Sequence, residues 1–271
     1  MNRILSLFRI LSLDIVAGAC IGALFIANYI GVDLSSSVVI VLGICVWSIY
    51  TIDHLLDARK VRLHANTRRH RFHQKYFTQL LILNLVAIIV GCVLAIGLPL
   101  QTLIVGMVLT LLVVAYFIIF NSTEIRIPKE FMGGIIYAVG IFIAPVTAPN
   151  YQFDMGIILI FAEFLTIAWM NLVLFSLMEV DVDILDGHQS IARKWGKKRV
   201  SYLINYMFLG FIILILLSLF ISMGGFPTYQ FLLAVMGSTL YLIFLGRKFF
   251  KVRERYRIIG DAVFLIPLIV L

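Results

Sequence analysis

The sequence predicts an all-α integral membrane protein in which nine transmembrane helices form a single domain over residues 1–271. Hydrophobic residues make up 62% of the chain and charged residues 13%, with a mean hydropathy of +1.06. Soluble chains carry about 25% charged residues. Apolar runs of about 20 residues recur along the chain, which is the length that crosses a bilayer core about 30 Å thick. Alternating strand patterns are absent, so a membrane barrel is not predicted.

Nine apolar runs define the predicted spans. The first contains Asp14 and eight more follow it, which favours an uncleaved first helix over a cleaved signal peptide. The predicted spans are residues 10–31, 36–57, 78–97, 100–120, 131–148, 153–179, 200–225, 229–245 and 256–271.

The positive charges predict how the protein lies in the membrane. All 22 lysines and arginines fall at the N-terminus or within or at the edge of the loops after spans two, four, six and eight. The only charged residues in or at the edge of the intervening loops are Asp33 and Asp154. The positive-inside rule then places the N-terminus in the cytoplasm and the C-terminus outside, in a cell inner or plasma membrane. Orientation also explains the basic stretch 58–76, so we expect no nucleic-acid partner.

Two pairs of carboxylates end two of the predicted spans. Asp53 and Asp57 are four residues apart at the end of span two, and Glu179 and Asp183 are four apart at the end of span six. Residues at this spacing share one face of a helix. Because four spans separate the pairs, both reach the cytoplasmic membrane surface, where we expect them to face each other across roughly 6–12 Å. Asp186 extends the second pair.

Several carboxylates in one place repel one another unless a cation neutralises them. Ligand sets made only of oxygen favour Mg²⁺ or Ca²⁺ over zinc, and Cys20, Cys45 and Cys92 lie within apolar runs. Mg²⁺ takes one or two carboxylates and completes its shell with water and substrate phosphates. With basic loops nearby, the pattern indicates a metal–diphosphate site. The alternative is that these acids are solvated at the interface and pair with neighbouring lysines and arginines.

These motifs resemble those of the UbiA superfamily of intramembrane prenyltransferases, which has nine helices and two aspartate-rich motifs. The first motif of that family lies at the end of helix two, where this chain has Asp53 and Asp57. Lys129 matches a basic position that the family uses on its diphosphate. The second motif follows helix six, and the residues that match it here are Glu179, Asp181, Asp183, Gly187, Ser190 and Gly196.

The resemblance implies a site and a reaction. Mg²⁺ bound by the two motifs holds an isoprenoid diphosphate, and the prenyl group passes to an aromatic or other lipophilic acceptor in a cavity open to membrane lipid, on the cytoplasmic side. Asp53, Asp57, Glu179 and Asp183 are the expected catalytic residues. Lys129, Arg126 and Arg69 are expected to bind the diphosphate. The expected metal ligands are Asp53, Asp57, Glu179, Asp181, Asp183 and Asp186.

The chain also departs from the family pattern, which keeps other functions open. Ile49 and Tyr50 replace the polar residues that open the first motif, and Glu179 stands where Asp is usual. A noncatalytic lipid- or ion-handling protein could reuse the same fold. A transporter is a third alternative, although transporter sites usually lie near the bilayer midplane. Glu163 and Asn171, in the middle of span six, could face a cavity or join helices by hydrogen bonds.

Overall fold

The computed structural model describes residues 3–60, 68–122, 128–149, 151–187, 189–221 and 228–271. Within these ranges every regular element is helical, which confirms the predicted all-α class. Short 3₁₀ helices cover Val252–Glu254 and Val263–Val270. The α-helices are α1 (Arg3–Ile10), α2 (Leu13–Ile30), α3 (Ser36–Lys60), α4 (Arg68–Lys75), α5 (Phe77–Ala95), α6 (Leu100–Ser122), α7 (Lys129–Val146), α8 (Met155–Asp186), α9 (Ile191–Trp195), α10 (Lys197–Ile221), α11 (Thr228–Leu245), α12 (Arg247–Lys251) and α13 (Arg255–Ala262).

Eight helices of the described chain are long and apolar enough to cross a membrane: α2, α3, α5, α6, α7, α8, α10 and α11. Each overlaps one predicted span. The ninth predicted span is shorter and changes from α13 to a 3₁₀ helix that contains Pro267. A proline lacks the amide hydrogen that α-helical bonding needs. A total of nine spans and the orientation of the two termini stay predictions.

Helix α8 is longer than predicted, and this difference matters for the site. Span six was expected to end at Glu179, but α8 continues for two further turns to Asp186. Gly187 then ends it in the left-handed conformation, with φ 75°. Glycine adopts this conformation without the steric cost that a Cβ brings. Glu179 and Asp183 therefore lie on regular helix, and their spacing of four residues puts them on one face.

Short helices precede the first span and occupy the basic loops, where the apolar runs gave no signal. Ser12 has φ 56° and separates α1 from α2, so the first span begins later than the predicted residue 10. Helix α4 packs on α3, where Gln74 Nε2 donates to the carbonyl of Ala58 at 3.0 Å. His73 Nδ1 donates to the carbonyl of Arg69 at 3.0 Å, and burial lowers the pKa of His73.

The packing of the spans leaves a gap beside α7. Helix α8 is central and contacts α7, α10 and α11, while α2 packs against both α3 and α7. Helix α3 pairs with α5, whereas α6 packs chiefly against α7. Contact between α3 and α7 is slight, so an open space lies between α3, α6 and α7. The faces of α5 and α6 that point away from the bundle carry exposed apolar side chains, as expected for helices in lipid.

Candidate functional site

A cavity of about 390 Å³ lies between α3, α6, α7 and α8 and extends to α2 and α13. Its charged end is formed where α3 and α8 approach the face that the sequence predicts to be cytoplasmic. The four acids expected to be catalytic all line this cavity. The charged residues of the lining are Asp53, Asp57, Arg69, Lys129, Glu130, Glu179, Asp183, Arg257 and Asp261.

The first motif lies on α3 beside the start of α7. The carboxylate of Asp57 is 3.9 Å from the ammonium group of Lys129, measured from Oδ2 to Nζ. One turn earlier, Asp53 Oδ2 lies 3.9 Å from Nδ1 of His54. His54 is buried, and its Nε2 is 3.1 Å from the hydroxyl of Ser12. This contact ties α3 to the left-handed turn that precedes α2.

The second motif begins with an acid that already has a cationic partner. Glu179 accepts hydrogen bonds from Arg257 Nε at 2.7 Å and from Arg257 Nη2 at 2.6 Å. Tyr256 Oη donates to the same carboxylate at 2.8 Å. Asp183 lies one helical turn further along α8 and also lines the cavity. Glu179 therefore joins α8 to α13, and its charge is largely balanced within the protein.

Three other predicted residues do not add to the described cavity. Asp181 is exposed and pairs with Lys197 at 2.7 Å and Lys251 at 2.9 Å, because it points away from the face that carries Glu179. The side chain of Asp186 and all of Arg126 lie outside the described residues. Asp181 is thus separated from the other acids, and the charges around it are those of the polar surface.

Arg69 of α4 is held among the charged groups of both motifs. Burial and the guanidinium of Arg257 lower the pKa of Arg69, and the carboxylates of Glu179, Asp53 and Asp57 oppose that shift. An arginine remains charged across ordinary pH even when its pKa is lowered. Arg69 therefore brings a permanent positive charge to the place where the two motifs meet.

Glu130 anchors the loop that follows α8, a role that sequence reasoning missed. This residue is buried, lines the cavity, and accepts a hydrogen bond from the backbone amide of Ile191 at 2.8 Å. The next amide, that of Ala192, donates to Ser176 Oγ at 3.0 Å. Ser190 caps α9 by accepting from the amide of Arg193 at 3.4 Å. The sequence shows an acid at the position of Glu130, but it does not indicate that the amide of Ile191 is its partner.

A second region of the cavity, which we call the polar recess, is lined by Tyr50, Tyr137, Asn171 and Asp261. The hydroxyl of Tyr137 and Oδ1 of Asn171 are both buried and have no hydrogen-bond partner within the described chain. Buried polar atoms are nearly always satisfied in folded proteins. The two oxygens are therefore the buried polar atoms of this region that lack a hydrogen bond within the described chain. The sequence singled out Asn171 but not Tyr137.

The acids suit a hard cation, but they do not form a complete metal site by themselves. Asp53, Asp57 and Asp183 offer carboxylate oxygens, the ligands that Mg²⁺ prefers. Across the described residues, no group of three or more His, Cys, Asp or Glu side chains is arranged to hold a metal ion. Mg²⁺ commonly takes only one or two carboxylates and substrate phosphates. The residues therefore fit an ion whose shell a bound diphosphate completes.

The chain belongs to the UbiA prenyltransferase family, whose model matches residues 15–259. It is thus an integral membrane protein of that family. Its fold is similar to the solved structure of a digeranylgeranylglyceryl phosphate synthase, with a TM-score of 0.61 and 18% sequence identity over 99% of this chain and 98% of the other. At this identity the likeness concerns the fold. A comparison with curated protein sequences finds no significant match.

Proposed function

We propose that the protein transfers a prenyl group from an isoprenoid diphosphate to a lipophilic acceptor within the membrane, with Mg²⁺ as cofactor. The observation that carries this proposal is the composition of one cavity. Asp53, Asp57 and Asp183 line its charged end together with the cations Lys129 and Arg69. Apolar residues line most of the remainder, so a ligand with an anionic head and a hydrocarbon tail matches both parts.

The charged residues have complementary tasks in this proposal. Lys129 and Arg69 bind phosphate oxygens and stabilise the negative charge that develops on the departing diphosphate. Asp53, Asp57 and Asp183 hold Mg²⁺, which supplies Lewis-acid stabilisation of the same charge when it is bound. The ion pair of Glu179 with Arg257 keeps both side chains in fixed positions beside this cluster.

The neutral parts of the cavity would hold the reacting carbons and the acceptor. Loss of diphosphate from an allylic donor leaves a carbocation that water would capture, so an apolar chamber protects it until the acceptor attacks. Tyr137 and Asn171 place in the polar recess two oxygens that have no hydrogen-bond partner among the described residues. These oxygens would orient a hydroxyl or other polar group of the acceptor, and Asp261, which lines the same cavity, would take its proton.

The test uses the full-length protein in lipid nanodiscs with a radiolabelled prenyl diphosphate and a membrane lipid extract as the source of acceptor. We expect a labelled lipid product in the presence of Mg²⁺ and none after the metal is chelated with EDTA. The Asp57→Asn variant should lose the product, whereas Asp33→Asn, in the loop between α2 and α3, should retain it. Product that still forms in the presence of EDTA, and also in the Asp57→Asn variant, would contradict the proposal.

One set of observations favours a second candidate, a protein that binds prenyl lipids without transferring them. Arg257 already pairs with Glu179, and Ile49 and Tyr50 stand where the family pattern has polar residues. A site in which Glu179 is held in an ion pair with Arg257 would bind Mg²⁺ more weakly. Metal-dependent binding of a prenyl diphosphate, with no diphosphate released over time, would support this second candidate.

A further inference from the structure

Beyond the charged end, the cavity continues as a groove along nearly the whole length of α3. The residues of α3 that line it recur every three or four positions, so they form one continuous helix face. That face runs outward from Asp53 to Val38, fifteen residues, which is about 22 Å of helix. Apart from Tyr50 near the charged end, its members are apolar or weakly polar: Val38, Val41, Leu42, Cys45, Val46 and Ile49.

Helices α6 and α7 form the facing walls of the same groove. On α6 the lining runs from Tyr116 to Thr102, fourteen residues, or about 21 Å. On α7 it reaches Ala144, near the far end of that helix. At this end Thr102 and Thr147 are joined by a hydrogen bond of 2.8 Å between their hydroxyls. We call this space, bounded by α3, α6 and α7, the apolar groove.

Two glycines keep the apolar groove wide along its length. A Cβ placed on Gly140 of α7 would have Leu109 Cδ2 of α6, at 3.8 Å, as its nearest neighbour. A Cβ placed on Gly106 of α6 would meet no atom of the described chain within 4 Å. Gly140 is thus level with Leu109, about 10 Å from Tyr116, and Gly106 lies about 15 Å from Tyr116. Larger residues at either position would narrow the groove.

We infer that the apolar groove binds the hydrocarbon chain of a donor with about four isoprene units, and that Gly140 and Gly106 permit this length. This inference rests on the proposed function. An isoprene unit adds four carbons along the chain, and at about 1.5 Å per carbon–carbon bond in a zigzag it spans about 5 Å. The groove of 21–22 Å therefore holds about four extended units. A donor of two units would fill only the half of the groove nearer the charged end.

The test compares geranyl, farnesyl and geranylgeranyl diphosphates as competitors for a labelled donor, in nanodiscs that contain the full-length protein and Mg²⁺. We expect geranylgeranyl diphosphate to be the best competitor for the wild type, because its chain fills the apolar groove. Gly140→Phe should block the groove at about two units and make geranyl diphosphate the best competitor. Gly106→Phe should block it further out, so that farnesyl diphosphate becomes the best competitor.

Gly210→Phe is the matched control, because Gly210 of α10 also has open space around it but does not line the cavity. In this variant the three diphosphates should compete in the same order as in the wild type. The comparison also controls for the partition of long donors into lipid. If Gly140→Phe and Gly106→Phe keep the wild-type order while all three donors still bind with Mg²⁺, the groove is not the chain site and the proposed function stands. If no donor binds to the wild type, the proposed function itself fails.

Discussion

Arg257 donates two hydrogen bonds to Glu179, a residue 78 positions earlier in the chain. The pair joins α8, the central helix, to α13, and Tyr256 adds a third hydrogen bond to the same carboxylate. Both side chains are about one fifth exposed. Glu179 therefore holds a cation beside the charged end of the cavity.

Replacing only one member of this pair should be more harmful than replacing both. Glu179→Gln leaves the guanidinium of Arg257 partly buried without its counter-ion, which should cost about 1–3 kcal/mol of stability. We expect the Glu179→Gln, Arg257→Met double variant to recover part of that loss. Thermal unfolding in detergent measures the effect. If the stability loss of the double variant equals the sum of the losses of the two single variants, the two side chains act independently.

Asp183 should contribute strongly to metal affinity, because it lines the cavity one helical turn beyond Glu179 on the same face of α8. Asp183→Asn keeps the shape of the side chain and removes its charge, so we expect Mg²⁺-dependent binding of a prenyl diphosphate to fall at least about tenfold. The fold and membrane insertion should be unchanged. Asp33→Asn is the control and should bind normally. The role assigned to Asp183 is falsified if its variant binds with wild-type affinity and the same Mg²⁺ dependence.

Glu130 should order the loop between α8 and α9 through the amide of Ile191. Glu130→Ala removes the acceptor and leaves a buried amide unsatisfied, at a cost of about 1–3 kcal/mol. We expect faster hydrogen exchange of the Ile191 amide and weaker donor binding. Glu130→Gln retains a carbonyl oxygen and should keep most of the protection. Equal exchange rates in wild type and Glu130→Ala would exclude this contact as the anchor.

The polar recess should affect the acceptor more than the donor. Tyr137→Phe and Asn171→Leu each remove one of the buried oxygens that lack a partner within the described chain. We expect the KM for the acceptor to rise about tenfold in each variant, because a hydrogen bond of about 1–1.5 kcal/mol is lost. The KM for the donor should change little. A rise in the donor KM alone would place the donor, not the acceptor, in the recess.

The orientation of the chain can be tested by reporter fusions. The loops after α3, α6, α8 and α11 contain the lysines and arginines between the spans, so we expect all four to face the cytoplasm. A cytoplasmic fluorescence or enzymatic reporter inserted in each loop should therefore be active. A reporter in the loop that contains Asp33 should be inactive. An inactive reporter in any of the four basic loops, or an active one in the loop that contains Asp33, would require a different number of spans.

Much of this architecture could be predicted from the sequence, because membrane helices are determined by local hydropathy. The spacing of Asp53 with Asp57, and of Glu179 with Asp183, indicated a helix face. The structure brings all four to one cavity. Partners distant in sequence could not be predicted in this way. Nothing in the local pattern indicates that Arg257 reaches Glu179, or that Glu130 binds the amide of Ile191.

The position of a residue around its helix also indicated better than its polarity whether the residue lines the cavity. Asp181 lies between two site acids in sequence, but two residues along a helix turn a side chain to roughly the opposite face. Lys197 and Lys251 bind it there. Tyr137 carried no signal because a single tyrosine in an apolar run is ordinary. That its hydroxyl has no partner in the described part of the chain is shown only by the packing of α7 against its neighbours.

One wall of the apolar groove is a helix supported mainly on one side, since α6 packs chiefly against α7. Its opposite surface is exposed along most of its length. A helix held in this way adjusts its tilt when the thickness of the surrounding bilayer changes. On the inference that this groove holds the donor chain, its width is a joint property of the protein and the lipids around it. The same polypeptide would then favour different chain lengths in thin and thick membranes, and the host membrane would take part in substrate selection.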